Sequence, residues 1–442
     1  MLSDHENEIV VRVGPGTLMG DLMRQYWLPA LLPSELPETD GRPVPIRLLG
    51  EDLIAFRDSE GRVGLLANNC PHRGASLFFG RNEESGLRCV YHGWKFDVGG
   101  RCVDMPNEPP ESNFKDKVHA VAYPCIERNQ IIWAYMGPRE SPPPLPDFEA
   151  NLEPGGNSHK YLRDCSWLQS FEGDLDTVHL AFLHHGSVRA EDLEPGTMDY
   201  YSLKNRWARW AIKDTEVGAT YGAYRPAEEG TTYWRIAHYL FPFHAMIPTG
   251  VLGKRVGVIS IVPIDDEHSF RFTFGPPQER SGNGTGRAGA LSGAGQDLGF
   301  QPDTAGPLGR FRLNQSRSND YMLDWEAQMA MKSYTGIPGT SIQDQAVVES
   351  MGQIYNRSHE HLGTSDMMII RLRRLLIQAA RDLREDGTVP PGVDCPEGYR
   401  RRSGGIVLED GVEGIDATMP LQTARVELED FDLAVATTTP AG

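Results

Sequence analysis

Residues 70 to 94, CPHRGASLFFGRNEESGLRCVYHGW, constrain this chain more than any other stretch, because four metal-binding side chains fall there in two mixed pairs. Cys70 is followed two residues on by His72; after a gap of sixteen residues comes Cys89, and three further on His92. Zinc motifs more often pair cysteine with cysteine and histidine with histidine along the chain. A two-iron cluster in which one iron takes two thiolates and the other two imidazoles needs a Cys and a His delivered together by each of two facing loops. This spacing supplies that arrangement. A cluster of that kind passes single electrons, so its acceptor must be sought elsewhere.

Residues 164 to 186, DCSWLQSFEGDLDTVHLAFLHHG, offer an acceptor: Asp176-x-x-His179, then four residues, then His184. Oxygen-activating centres with one non-haem iron use two histidines and one carboxylate on a single face of the metal. On a regular helix the two histidines would diverge by roughly 140°. A helix end or a π-type irregularity is therefore expected between them. His185 adjoins His184 and competes with it. Standing alone, a D-x-x-H-x4-H string is weak, and packing and surface residues explain it as well.

Short β-like runs over residues 41 to 137, such as VPIRLLG, LIAFRD and QIIWAYMG, are separated by Gly, Asn and Asp turn signals and predict a small all-β domain. The proline cluster GPRESPPPLPD cannot continue a sheet, which puts a boundary near Pro143. Beyond it come a helical stretch around 167 to 185 and strand-like runs TTYWRIAHYLFPF, VGVISIVPI and HSFRFTFG. Further helical stretches are read over 319 to 331 and from Asp366 to Leu383, the latter with Ser365 as N-cap and Ile369, Leu372, Leu376 and Leu383 on one face. The Gly-rich segment 280 to 310 reads as a flexible insertion.

The formal net charge of −18 argues against a nucleic-acid binder, which needs clustered Lys and Arg. No apolar run approaches the length of a membrane span, and the acidic first residues carry no signal-peptide pattern, so a cytoplasmic protein is expected. In a reducing compartment Cys102, Cys125, Cys165 and Cys395 read as buried, inert thiols.

NNCPHRG and CVYHGW resemble the two loops of Rieske proteins. Joined to the downstream D-x-x-H-x4-H, they make the chain resemble the oxygenase component of Rieske non-haem iron oxygenases from about residue 10 to about residue 385. RVGPGTLMGDLMRQYWLPALL, LLGEDLIAFRD and VYHGWKFDVGGRCVDMPNEPP look most like the phthalate dioxygenase branch. The resemblance implies an α+β fold, with an N-terminal all-β Rieske domain and a catalytic domain in which helices pack on an antiparallel sheet of helix-grip type. It divides the chain into a helical segment over 1–40, a Rieske domain over 41–143, a catalytic domain over 144–405 and a tail over 406–442. It implies a 2Fe-2S cluster on Cys70, His72, Cys89 and His92. It also implies a mononuclear iron on His179, His184 and Asp344, the last from SIQDQAVVESMG, with Asp176 bridging a cluster histidine to an iron histidine. Glu349, in the same segment as Asp344, reads as a solvated side chain.

By the same resemblance, a separate NAD(P)H-dependent flavin and 2Fe-2S reductase supplies electrons, since GPGTLMG is only a lone glycine pattern. A homotrimer or hexamer is implied, with the cluster of one subunit serving its neighbour's iron. The expected reaction uses O2 to dihydroxylate a phthalate-like aromatic carboxylate, as in aromatic catabolism. O-demethylation of a methoxylated aromatic acid is the second reading. A Rieske electron carrier without oxygen chemistry is a third, which leaves the residues after the proline linker unexplained. A carboxylate calls for arginine; Arg206, Arg209 and Arg235 are candidates, with His244 as a pocket-wall residue.

Overall fold

The computed structural model describes residues 2–152, 155–254, 256–275 and 298–424. Ser3 and Glu6 exchange hydrogen bonds in a capping box that starts the Asp4–Val11 helix, and Thr17 caps the Leu18–Met23 helix. Both helices lie against the Met367–Asp386 helix. The chain then turns extended. β1 (Trp27–Leu31), every residue of it buried, runs antiparallel to β10 (Ile131–Tyr135), which pairs with β9 (Cys125–Arg128). Of the helical segment read over 1–40, the α-helices end at Met23; a strand follows, and then only a 3-10 turn, Pro33–Glu35. Pro29 has no N–H to give a helix, and in β1 it sits beside a register shift.

Two further antiparallel sheets complete the N-terminal unit. β2 (Val44–Leu48), β3 (Glu51–Arg57) and β4 (Val63–Ala67) form a meander. β5 (Arg81–Glu83), β6 (Gly86–Arg88), β7 (Lys95–Phe96) and β8 (Cys102–Asp104) form the sheet that carries the cysteine-histidine loops. The proline cluster is irregular, and Trp27 Nε1 donates to the Pro143 carbonyl at 2.7 Å, which docks it on β1.

The second unit is an eight-stranded antiparallel sheet with helices packed against it, so the architecture is α+β. Its strands are β11 (Asn157–Arg163), β12 (Arg209–Thr215), β13 (Gly218–Pro226), β14 (Thr231–Leu240), β15 (His244–Met246), β16 (Val258–Pro263), β17 (Ser269–Gly275) and β18 (Gly404–Glu409). The order is β11-β17-β16-β15-β14-β13-β12. One edge of β14 is shared, with His238–Leu240 against β15 and Thr231–Ile236 against β18. The tail read as beginning at residue 406 therefore starts inside a strand of this sheet.

The Met367–Asp386 helix buries Met368, Ile369, Leu372, Leu376 and Ile377 on one face and ends at Gly387 in the left-handed region, with φ 69°. Its N-cap is Asp366, not Ser365: the Asp366 carboxylate turns back to accept from the Gly363 N–H at 2.7 Å. The helix read over 319 to 331 is broken. Asp320 and Tyr321 take left-handed conformations, and only Trp325–Met329 is α-helical, capped by Asp324. Through the break Tyr321 is buried, its hydroxyl donating to Glu349 Oε2 at 2.7 Å, while Met322 beside it is exposed. The Gly-rich stretch falls outside the described residues as far as residue 297. Among the described residues no helix is long and apolar enough to cross a membrane.

Candidate functional site

The two cysteine-histidine loops have matching backbones. The Gly74 N–H donates to the Cys70 carbonyl at 2.9 Å and the Gly93 N–H to the Cys89 carbonyl at 3.0 Å. Gly74 and Gly93 both have positive φ, 74° and 82°. A Cβ on Gly93 would also meet Pro106 at 2.6 Å, so glycine is required there. The His72 and His92 rings lie 4.5 Å apart, and Trp94 stacks on His72 at 4.2 Å. Both cysteines are buried. Burial pushes the Cys70 thiol up to about 11, opposed by the His72 N–H and reinforced by the Cys89 sulfur. The Nδ1 atom of His92 is buried with no partner. Two adjacent sulfurs and a buried ring nitrogen without a hydrogen bond fit a metal cluster rather than a packed core.

At the second centre the Trp167–Leu175 helix stops because Asp176 is extended; its Oδ1 accepts from the Val178 N–H at 2.7 Å. A 3-10 turn, His179–Ala181, follows, and the Leu183 N–H donates to the His179 carbonyl. The α-helix itself ends before both histidines; the irregularity expected between His179 and His184 is this 3-10 turn, followed by an i→i−5 bond from the His185 N–H to the Leu180 carbonyl at 3.1 Å. His179 Nε2 lies 3.6 Å and His184 Nε2 3.3 Å from the same Asp344 oxygen, Oδ1. One ligand atom from each of the three residues falls within 4.8 Å of the others, the spacing a single bound ion requires. Burial works against the Asp344 charge, but His184, His179 and Arg163 outweigh it and hold the carboxyl at about 2. The outer ring nitrogens are also occupied: His179 Nδ1 lies 3.5 Å from Asp176 Oδ2, and His184 Nδ1 lies 2.8 Å from Gln343 Oε1. The donor set fits a mononuclear iron.

Asp344 rides on the Thr340–Ser350 helix, which is stapled to the Trp167–Leu175 helix that leads into the histidine turn. Gln169 Nε2 donates to the Val348 and Gly352 carbonyls at 2.9 and 2.7 Å. Glu349, read as a solvated side chain, is instead 1% exposed. It accepts from Tyr321 Oη and the Asp164 N–H, two donors that only the fold brings together. His185 is turned away from Asp344, with Nε2 3.6 Å from Asp199. A cavity of about 430 Å³ opens beside the centre, lined by Asp176, His179, Asp344, Arg163, Glu172 and Arg373 among others.

Cys102, Cys125 and Cys165 are buried and Cys395 is partly exposed. A Rieske [2Fe-2S] domain matches residues 26–124, and a domain described as LigXa C-terminal domain like matches residues 134–394, more than half the chain. The chain belongs to the Rieske non-haem iron oxygenases. The oxygenase subunit of 3-chlorobenzoate-3,4-dioxygenase from Comamonas testosteroni is 41% identical over 409 residues, 91% of this chain and 94% of that one. The phthalate 4,5-dioxygenase oxygenase subunit of Pseudomonas putida is 36% identical over 396 residues, 86% of each. Dicamba monooxygenase bound to dicamba shares the fold at a TM-score of 0.53 and 17% identity, over 81% of this chain and 98% of that one. This oxygenase therefore carries a Rieske cluster and a mononuclear iron, and it is the oxygenase component of an aromatic ring-hydroxylating or demethylating system.

The arginine candidates separate by sheet register. Arg209 lies opposite Tyr224, on the sheet face away from Arg225, and is exposed, so it does not aim inward. Arg206 is half-buried over the Phe182 ring at 5.0 Å. His244 is walled in by Phe148 and Tyr399, bonded to Ser260 Oγ at 2.6 Å, and pushed down to about 3 by burial; it does not line the cavity. Arg235 does not line that cavity either, but its surroundings differ. It faces the same side of β14 as Tyr233, and Tyr221, on that face through the β13 register, donates to the carbonyl of Leu175, the residue before Asp176. Arg235 is 4% exposed, its Nε has no partner, and it has no carboxylate partner among the described residues. Burial lowers its basicity most; Tyr233, Tyr221, Asp199 and Asp176 act the other way. Arg225, on the same face, also leaves Nε and Nη2 unpartnered. The alternation Tyr233, Arg235, Ala237 is readable in sequence, but the absence of an ion-pair partner among the described residues is not.

Proposed function

We propose that this oxygenase dihydroxylates an aromatic carboxylate of the benzoate or phthalate class, anchored through Arg235. The supporting observation is the buried guanidinium of Arg235, which leaves Nε unpartnered, meets Met198 Sδ and reaches no carboxylate at ion-pair distance among the described residues, on the sheet face whose Tyr221 hydroxyl reaches the Leu175 carbonyl. A buried charge without a partner is costly, and a planar carboxylate is the natural partner for that fork. In this reading Cys70, His72, Cys89 and His92 hold the cluster; His179, His184 and Asp344 hold the iron. When bound, the cluster supplies single electrons and the iron supplies oxygen activation. The chain's own residues orient and protect: Asp176 holds the Nδ1 proton of His179, and Arg235 fixes which ring edge faces the three ligands.

Electrons would come from a separate NAD(P)H-dependent reductase. A head-to-tail homotrimer or hexamer would bring the cysteine-histidine loops of one copy against the partly exposed Asp176 of the next. The exposed Phe79, Val90 and Tyr91 around those loops suit such a contact.

Dihydroxylation consumes one O2, two electrons and two protons per diol, whereas O-demethylation releases formaldehyde. The test supplies the purified protein with a surrogate reductase and NADH and measures oxygen uptake, diol and formaldehyde on benzoates, phthalates and methoxybenzoates. Diol without formaldehyde is expected. Formaldehyde equal to the oxygen consumed would make it a demethylase. Arg235→Met is expected to raise KM for the acid roughly 10- to 100-fold, the loss of a hydrogen-bonded charge pair; an unchanged KM would remove Arg235 from the substrate site.

A further inference from the structure

Gln343 precedes Asp344 in sequence and plays no part in the reading above. It is 3% exposed, so water does not compete for its amide. Its Nε2 lies 2.9 Å from the Ile337 carbonyl, which can only accept. The amide is therefore oriented, and Oε1 is the atom that faces His184 Nδ1 at 2.8 Å. An acceptor at that distance requires the proton to sit on Nδ1. The lone pair of His184 is then on Nε2, the nitrogen 3.3 Å from Asp344 Oδ1.

We propose that Gln343 is a positioning residue for the iron: by accepting the Nδ1 proton of His184 it fixes the tautomer and plane of that ring and reserves Nε2 for the metal. The inference rests on the reading that His184 is an iron ligand. It also makes the two histidines unequal. His179 is backed by a carboxylate, Asp176, and His184 by a neutral amide. A carboxylate draws the Nδ1 proton and strengthens the opposite nitrogen as a donor, and an amide does so far less. One helix thus delivers a ligand at residue 344 and the support of another ligand at residue 343.

Two substitutions separate this role from plain packing. Gln343→Met fills the space but offers no comparable acceptor. Gln343→Glu keeps an acceptor for His184 and loses the donor to Ile337. Iron(II) affinity is measured on the full-length holoprotein by competition with a chelator, with cluster absorbance as the check that the chain is folded. Gln343→Met is expected to weaken iron binding roughly 10- to 100-fold with the cluster intact. Gln343→Glu is expected to restore it to at least the parent value. Equal loss in both variants would assign Gln343 to Ile337 and overturn the proposal, as would parent-like affinity in Gln343→Met. His184→Ala is the separate control: retained affinity there would remove His184 as a ligand, whatever Gln343 does.

A measurement on the parent protein stands even if a variant does not fold. With cobalt(II) in the iron site, proton NMR should show a hyperfine-shifted, slowly exchanging N–H from His184. A ring with no such proton would overturn the assignment.

Discussion

Glu172 holds two arginines at once, with Arg357 Nη2 at 3.1 Å and Arg373 Nε at 2.6 Å, both side chains almost wholly buried. Glu172→Ala would leave Arg357 with only neutral partners and Arg373 with Glu360 alone. A loss of about 3–5 kcal/mol is expected, read as a fall in the urea midpoint at unchanged slope; a midpoint within error of the parent would show the charges are relieved elsewhere. At this scale the sequence was legible where coordination chemistry dictates spacing, at Cys70, His72, Cys89 and His92 and at the Asp176–His184 string. It was silent where a polar side chain's role depends on a distant partner. Nothing in the neighbourhood of Glu349 announces Tyr321 or the Asp164 N–H, and nothing beside Arg235 announces that no carboxylate among the described residues pairs with it.

Among the elements, the Met367–Asp386 helix was readable because four apolar residues recur at helical spacing, while its start was not, since Asp366 bonds backward to Gly363. The broken segment around Asp320 carries helix-forming residues, yet Asp320 and Tyr321 are left-handed there and Tyr321 bonds the distant Glu349, a partner the local pattern does not announce. The β16–β17 turn shows how an element is pinned electrostatically. His268 sits 2.8 Å from Asp265 and 3.4 Å from Asp164, while Arg47 reaches Asp265 at 3.1 Å. Burial lowers its basicity, but the two carboxylates outweigh it and raise the imidazole from 6.5 to about 9. A histidine pKa raised on folding stabilises fully below about 6.5 and ceases to do so as pH rises through about 9. The stability gap between the parent and His268→Gln should therefore be larger at pH 6 than at pH 10. A gap that grows with pH would contradict the pairing.

Over the whole molecule, the two units share one apolar core. Ile46, Leu53 and Leu65 of the N-terminal sheets belong to the same buried cluster as Trp167, Phe272 and Leu372. A buried ion pair reinforces the join: Lys160 on β11, pushed down to about 8 by burial against the pull of Glu35, meets Glu35 at 2.6 Å. Calorimetry of the holoprotein is accordingly expected to give one endotherm; two resolved transitions would mean the shared core does not couple the units. The proline cluster marked a boundary in sequence, and the compositional shift across it is real. The continuity of the core beneath it was hidden, because each strand's pattern shows that it is buried and not against what.

The two metal centres differ in how far apart their ligands lie along the chain. Cys70 to His92 is a short loop on neighbouring turns, whereas Asp344 must find His179 and His184 across the whole catalytic sheet, held by Gln169 and Glu349. Closing a longer loop costs more chain entropy, and contacts between distant segments form late. During synthesis the cysteine-histidine site can close while the rest of the catalytic sheet has yet to emerge, but the three-ligand site exists only once the Thr340–Ser350 helix has docked. The cysteine-histidine site thus draws all its ligands from residues 70 to 92, whereas the three-ligand site is complete only when the Thr340–Ser350 helix is seated.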